Sequence, residues 1–175
     1  MSWRLAIYRL PSEPARHRVA VWRELRKVGA VSLQQATWAV PSGAEFDDAL
    51  TRAAELADRA GGQALVLPVA EDDAATTTLE RLYTEAREAE WVEFLTECGK
   101  CLAELEKEIR NQKFTLAELD EEEQSFDRLR RWYRELRARD LFGAASATSG
   151  EQQLKASTEQ LEDFAERVFA ARERP

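Results

Sequence analysis

Five basic residues near the N-terminus are the side chains in this sequence best suited to binding chemistry. Arginine and lysine present positive charge and N–H donors that match phosphate oxygens, arginine through a two-pronged contact. At about 100° per residue along a helix, Arg16, Arg23 and Lys27 fall on the same face. We therefore predict a DNA-binding site composed of Arg16, Arg18, Arg23, Arg26 and Lys27.

The distribution of charge along the chain supports this prediction. Residues 1–41 contain seven basic and two acidic residues, a net charge of +5, whereas the whole chain carries −8. Residues 42–175 therefore carry −13. Separation of charge indicates a partner for the basic end more strongly than total charge does. The competing interpretation is a helix face that is merely solvated.

A second basic cluster lies in the C-terminal half, on one face of another predicted helix. Its members are Arg130, Arg134 and Arg137, spaced four and three residues apart. We predict an anion-binding role for them. The competing interpretation is ion pairing across a helical hairpin with glutamates of the preceding helix, among them Glu97, Glu104 and Glu108.

The pair Cys98-x-x-Cys101 is the motif most often linked to redox or metal chemistry. It lies inside a predicted long helix, no second such pair follows, and His17 is the sole histidine. We interpret Cys98 as a core residue and Cys101 as incidental, and we expect no metal and no cofactor. Catalytic patterns such as HExxH, a Ser/His/Asp set or a glycine-rich phosphate loop are missing, so we expect a protein that is not an enzyme.

The elements that position the basic residues form the pattern β-α-β-β-α-β within residues 1–72. Leu5 and its neighbours alternate with Ala6 and Tyr8, which is typical of a strand with two faces. We expect both helices to cover one face of the sheet and leave Ala6 and Tyr8 on the other. Ser12 is the expected N-cap of a helix over residues 15–28 that buries Trp22, and Gly29 is its expected end. The simplest arrangement is a ferredoxin-like module.

The remainder, residues 73–175, is predicted to be helical. A heptad-like apolar spacing and a capping box at Thr115 indicate an αα-hairpin at about 78–140. Small residues predict a loop over 143–150, and a further helix follows at about 151–172. The fold class is therefore α+β.

Several segments resemble the N-terminal domain of the bacterial chromate-resistance regulator ChrB. They are LAIYRLPSEPARHRVAVWREL at residues 5–25, GAVSLQQATWAVP at 29–41, FTLAEL at 114–119 and ARDLFGA at 138–144. The resemblance implies a transcriptional repressor of a chromate-efflux operon, with a DNA operator as partner and chromate as effector. The 29–40 hairpin is also similar to that of PaaX-type repressors and of the ferredoxin-like CRISPR adaptation subunit, whose nuclease aspartate is missing here.

Full-length members of that family carry a further C-terminal chromate-resistance domain, which the resemblance implies is separate from this chain or missing. By analogy with sheet pairing in such folds, we expect a homodimer. No apolar segment approaches the roughly 20 residues that span a bilayer, and two cysteines do not form a disulfide framework, so we expect a cytoplasmic protein without a membrane partner. The alternative function is a protein-interaction or oligomerisation module that does not bind DNA.

Overall fold

The computed structural model describes residues 1–70 and 72–173, and it confirms the α+β class. The elements are β1 (Trp3–Arg9), α1 (Ala15–Lys27), β2 (Val31–Gln34), β3 (Thr37–Pro41), α2 (Ala44–Arg59), β4 (Gln63–Pro68), α3 (Asp73–Arg110), α4 (Leu116–Arg139) and α5 (Ala147–Glu173). The chain divides into two compact units, residues 1–86 and 87–175, and α3 contributes to both. The sequence predicts a domain boundary after residue 72, where strands and helices give way to helices alone. This boundary stays a prediction.

The four strands form an antiparallel sheet in the order β2-β3-β1-β4. The core of this unit joins Ala6 of β1 to Val21 and Leu25 of α1 and to Ala53 of α2. The helices thus cover the face that carries Ala6 and Tyr8, which is the opposite of our prediction. Alanines at the contact explain why the helices cover this face, because small side chains allow the helices to approach the sheet closely.

The other face of β1 carries Trp3, which is buried and packs edge-to-face on Tyr83 in the first part of α3, with 5.8 Å between the ring centres. Leu65 and Leu67 of β4, on the same face as Leu5, stay exposed. This face is therefore closed at one end and open along β4.

Helix α1 begins without a side-chain cap. The residue at the N-cap position is Pro14, and no side chain accepts a hydrogen bond from the first turn. The prediction of Ser12 as N-cap is wrong, because the helix starts two residues later than that role requires. Gly29 has φ of +77° directly after the last turn, which confirms the predicted end, since only glycine adopts this conformation without cost.

The second unit has its own core, built from α3, α4 and α5 around residues such as Trp91, Phe126 and Phe164. The cap at Thr115 is confirmed, because its hydroxyl accepts a hydrogen bond from the Glu118 N–H at 3.2 Å. The predicted loop over 143–150 is wrong from residue 147 onward, where α5 begins.

Gly150 explains why a helix runs through this small-residue segment. A Cβ placed on Gly150 would lie 2.7 Å from the Trp91 ring, so the helix backbone rests directly on the indole. Gly150 thus lets α5 approach Trp91 closely. The small residues that indicated a loop are therefore explained, at Gly150, by the packing of a helix.

Candidate nucleic-acid interface

The exposed surface of α1 gathers the five predicted DNA-binding residues. Val21 and Leu25 are fully buried and fix the helix to its unit. At about 100° per residue, Arg16, Arg23, Arg26 and Lys27 occupy the half of the helix circumference that faces away from those anchors, whereas Arg18 lies beside the apolar stripe. All five are exposed; they are Arg16, Arg18, Arg23, Arg26 and Lys27.

This basic face of α1 lacks acidic compensation. Within residues 1–70 and 72–173, no carboxylate oxygen lies within 4.0 Å of a charged nitrogen of these five side chains. Nearby acids are engaged elsewhere, since Glu24 pairs with Arg52 at 3.1 Å and Asp47 with Arg4 at 2.8 Å. The first turn of α1 also contains no acidic residue. The positive potential of the face is therefore reduced mainly by solvent and salt.

Arg18 makes a contact that the sequence did not indicate. Its guanidinium donates a hydrogen bond to the backbone carbonyl of Ser12, in the segment that precedes the helix. The helical period puts Arg18 on the apolar side of α1, but its side chain extends to the surface, as long basic side chains do at the edge of an apolar stripe. Arg18 thus ties this segment to the basic face.

The indole of Trp22 lies among the cations on the exposed surface of α1. Trp22 is 41% exposed and Val19 is 39% exposed, and the Arg26 guanidinium carbon lies 5.2 Å from the centre of the Trp22 ring. The prediction that Trp22 is buried is wrong, because Val21 and Leu25 already complete the buried stripe and Trp22 lies about 100° from Val21 around the helix. The helical spacing of the sequence could have indicated this exposure, because an apolar residue next to a complete buried stripe projects from the edge of that stripe.

A polar cleft of about 520 Å³ lies beside the start of α1, where β1 ends and β4 begins. Its lining residues are Arg9, Leu10, Pro11, Ser12, Gly61, Gly62 and Gln63. Gly62 is required here, because a Cβ on it would lie 2.3 Å from the Arg9 carbonyl oxygen. Sequence reasoning missed the cleft, because a glycine pair directly after α2 is also what the end of a helix requires.

The second basic cluster is only partly free of acids. Arg130 pairs with Asp127 on its own helix at 2.9 Å, whereas Arg134 and Arg137 have no carboxylate within 4.0 Å in the part of the chain that the structure describes. The expected partners pair instead with lysines: Glu97 with Lys100, Glu104 with Lys107 and Glu108 with Lys113. That competing interpretation is therefore wrong, and anion binding by Arg130, Arg134 and Arg137 stays a prediction.

The cysteine pair lies in the core of the second unit. Cys98 is fully buried, which confirms its interpretation as a core residue, and burial raises the pKa of its thiol to about 12. Burial also raises the pKa of the half-buried Cys101. Both thiols are thus protonated at neutral pH and are poor nucleophiles and ligands. Among residues 1–70 and 72–173, no group of three or more His, Cys, Asp or Glu side chains is arranged to hold a metal ion.

Glu122 is a buried acid that sequence reasoning missed. Only 5% of it is exposed, and burial raises the pKa of its carboxyl to about 7, with nearby carboxylates such as Glu104 adding to the effect. Its position among the acids of α4 looked solvated, since nothing in their spacing distinguishes one glutamate from the next. The carboxyl therefore titrates close to neutral pH rather than in the acid range.

The arrangement defines an α+β protein that presents an uncompensated basic helix. A family model described as protein ChrB, N-terminal, matches residues 18–175, which include four of the five basic residues of α1. The chain belongs to this ChrB N-terminal family and is a domain related to the chromate-resistance regulator, as the sequence resemblance predicted. We found no significant match among curated proteins or among solved structures. No helix in the described residues is long and apolar enough to span a bilayer.

Proposed function

We propose that this protein is a DNA-binding repressor of a chromate-resistance operon and that α1 contacts the operator. The observation that carries the proposal is the exposed basic face of α1, whose five cations have no carboxylate within 4.0 Å in the described chain. Each cation that neutralises a DNA phosphate releases a condensed counterion, and this release is a main source of affinity. Membership of the ChrB family supports the chromate-resistance role.

We further propose that the first unit is a ferredoxin-like module that holds α1 in place. The strand order β2-β3-β1-β4, with antiparallel neighbours, supports this arrangement. Val21 and Leu25 anchor the helix, so the cations are displayed from a packed element rather than from a loop. A cytoplasmic homodimer is the proposed form, because two-fold symmetric regulators match operators with two half-sites.

Salt-dependent binding tests the proposal. We would measure fluorescence anisotropy on the promoter DNA of a chromate-efflux operon, comparing the wild type with the double variant Arg23→Glu plus Lys27→Glu. Losing two phosphate contacts should lower the slope of log affinity against log salt by about 2 and weaken binding by at least about tenfold at physiological salt.

The matched control is Lys155→Glu plus Arg167→Glu, which makes the same change of net charge on α5. These residues are exposed on a helix of the other unit. We expect the control to bind nearly as the wild type does. If the two double variants lose affinity equally, net charge alone governs binding, and α1 is not the interface. If neither loses affinity, the basic face plays no part.

A second candidate function is oligomerisation without DNA. Phe169 is 52% exposed on α5 and lies in a groove of about 580 Å³ that also contains Glu162, Glu166 and Glu173. An acidic groove around an aromatic ring complements the basic face of α1 in charge. Light scattering without DNA at low and high salt tests it: a larger assembly at low salt that Arg23→Glu plus Lys27→Glu abolishes favours this candidate.

Chromate is the proposed effector, and the cleft beside Arg9 is its proposed site. A guanidinium matches a tetrahedral oxyanion through paired N–H donors, and Arg9 lines the cleft. Adding chromate should release the operator from the wild type, whereas Arg9→Ala should keep it bound. Sulfate, which has the same shape and charge, serves as the control anion. Release from Arg9→Ala at the same chromate concentration would exclude this cleft.

A further inference from the structure

Trp22 differs from the other tryptophans of the chain. Trp3, Trp38 and Trp91 are buried and Trp132 packs against the core of the second unit, whereas 41% of Trp22 is exposed. An indole that stays 41% exposed forgoes part of the free energy that full burial of a large apolar side chain provides. Such an exposed ring indicates a surface that becomes covered when a partner binds.

The residues around Trp22 indicate the charge of that partner. Arg18 and Arg26 lie one turn before and one turn after it, Arg23 is adjacent, and the Arg26 guanidinium covers part of the ring at 5.2 Å. Val19 extends the apolar area on the same side. A flat aromatic ring with cations above and below it along a helix complements a ligand that alternates planar rings and phosphates, which is the chemistry of a nucleic-acid strand.

The composition of α1 further narrows the mode of contact. Its sequence, ARHRVAVWRELRK, contains arginines and a lysine, which can contact phosphates or guanine edges, but no Asn or Gln to read adenine, and Trp22 offers mainly the face of its ring. Base faces are covered by their neighbours in an intact duplex, so an indole can stack only on a base that is unpaired or displaced from the stack. The exposed ring therefore fits an open strand better than a closed helix.

We propose that Trp22 stacks on an unpaired base of the bound DNA and that the basic face of α1 thereby favours strands with at least one base outside the duplex stack. This inference rests on the proposed function, because it assumes that the same face binds DNA. It adds a preference for DNA shape to the phosphate contacts of the cations, which by themselves carry no sequence information. Trp22 is the side chain that supplies the preference.

The test compares three fluorescent DNA probes of equal length: a single strand, a fully paired duplex, and a duplex with one unpaired base. Trp22→Ala should weaken binding to the single strand and the interrupted duplex by about 5- to 150-fold, the effect of losing one base–aromatic stack. It should leave the paired duplex within about twofold and the salt slope unchanged, because no charge is removed. Trp22→Phe should retain most of the affinity.

Leu116→Ala is the matched control, since it removes a comparably exposed apolar side chain, 44% exposed, from α4 in the other unit. It should change none of the three affinities. Far-ultraviolet circular dichroism should show that both alanine variants keep their helix content. Equal loss on all three probes, or no loss on any, would overturn the stacking inference.

The two hypotheses fail differently. If Arg23→Glu plus Lys27→Glu lowers the salt slope while Trp22→Ala has no selective effect, DNA binding by α1 stands and the stacking inference is wrong. If no probe and no promoter fragment shows salt-dependent binding, the proposed function is overturned, and this inference with it.

Discussion

Replacing Glu122 by glutamine should change how the stability of the protein depends on pH. Glu122 is 5% exposed, and burial, reinforced by carboxylates such as Glu104 and Glu121, raises its pKa from an ordinary 4.5 to about 7. The folded state therefore favours the protonated, uncharged form. Glutamine has nearly the same shape and is uncharged at every pH, so it imitates that form.

The sign follows from proton linkage. Because the folded pKa is raised, the folded protein holds a proton that the unfolded chain releases, and the resulting stabilisation is complete only below about pH 4.5. It declines as the pH rises and is lost above about pH 7. At 1.36 kcal/mol for each pKa unit, the whole effect is on the order of 3 kcal/mol, most of it lost between about pH 5 and pH 8.5.

Urea unfolding at about pH 5 and about pH 8.5 provides the assay. We expect Glu122→Gln to be similar to the wild type at the lower pH and more stable by about 2–3 kcal/mol at the higher pH. Glu123→Gln, which changes an exposed neighbour, should follow the wild type at both. Parallel pH profiles for the wild type and Glu122→Gln would show that Glu122 is hydrated and would refute the reasoning.

Four further predictions concern the second unit. Gly150→Ala should lower the free energy of unfolding by about 1–3 kcal/mol, because the added methyl overlaps the Trp91 ring. Gly99→Ala should instead raise it by up to about 1 kcal/mol, since that glycine lies in a helix with open space beside it; both are read by urea unfolding. Thr115→Ala should cost about 1 kcal/mol by the same measurement, because α4 loses its cap. Cys98 should react with a thiol reagent only after unfolding, since it is buried and its pKa is about 12, and mass spectrometry can follow the labelling.

Opposite results would identify which part of the reasoning fails. If Gly150→Ala raises stability as Gly99→Ala does, helix propensity outweighs the contact with Trp91. A neutral Thr115→Ala would mean that the end of α4 is held by packing alone. Rapid labelling of Cys98 in the folded state would indicate local opening of the core.

Local signals made some features predictable. Gly29 and Thr115 set helix ends through the conformation of a single residue or one hydrogen bond, so the sequence alone was sufficient. The same holds for Arg16, Arg23, Arg26 and Lys27, since a buried stripe of Val21 and Leu25 leaves the opposite half of the helix in solvent.

Features that depend on packing partners were not predictable in this way. A two-residue period reveals two faces of β1 but not which face the helices cover, so Ala6 was placed on the wrong side. Glu122 and Gly150 likewise gain their roles from neighbours distant in sequence, α3 in one case and Trp91 in the other. The pattern within a single helix or strand does not indicate which distant residues will pack against it.

The unpaired cations of α1 have a practical consequence during purification. With a net charge of −8 and an isoelectric point near 4.9, the protein is an anion at neutral pH and should bind an anion-exchange column. The same molecule carries a compact cationic surface, so it should also be retained by heparin and carry nucleic-acid fragments out of a cell lysate until the salt is raised. Its retention on resins of both signs, and the ratio of its absorbance at 260 and 280 nm after a high-salt wash, would thus report on α1 before any operator is known.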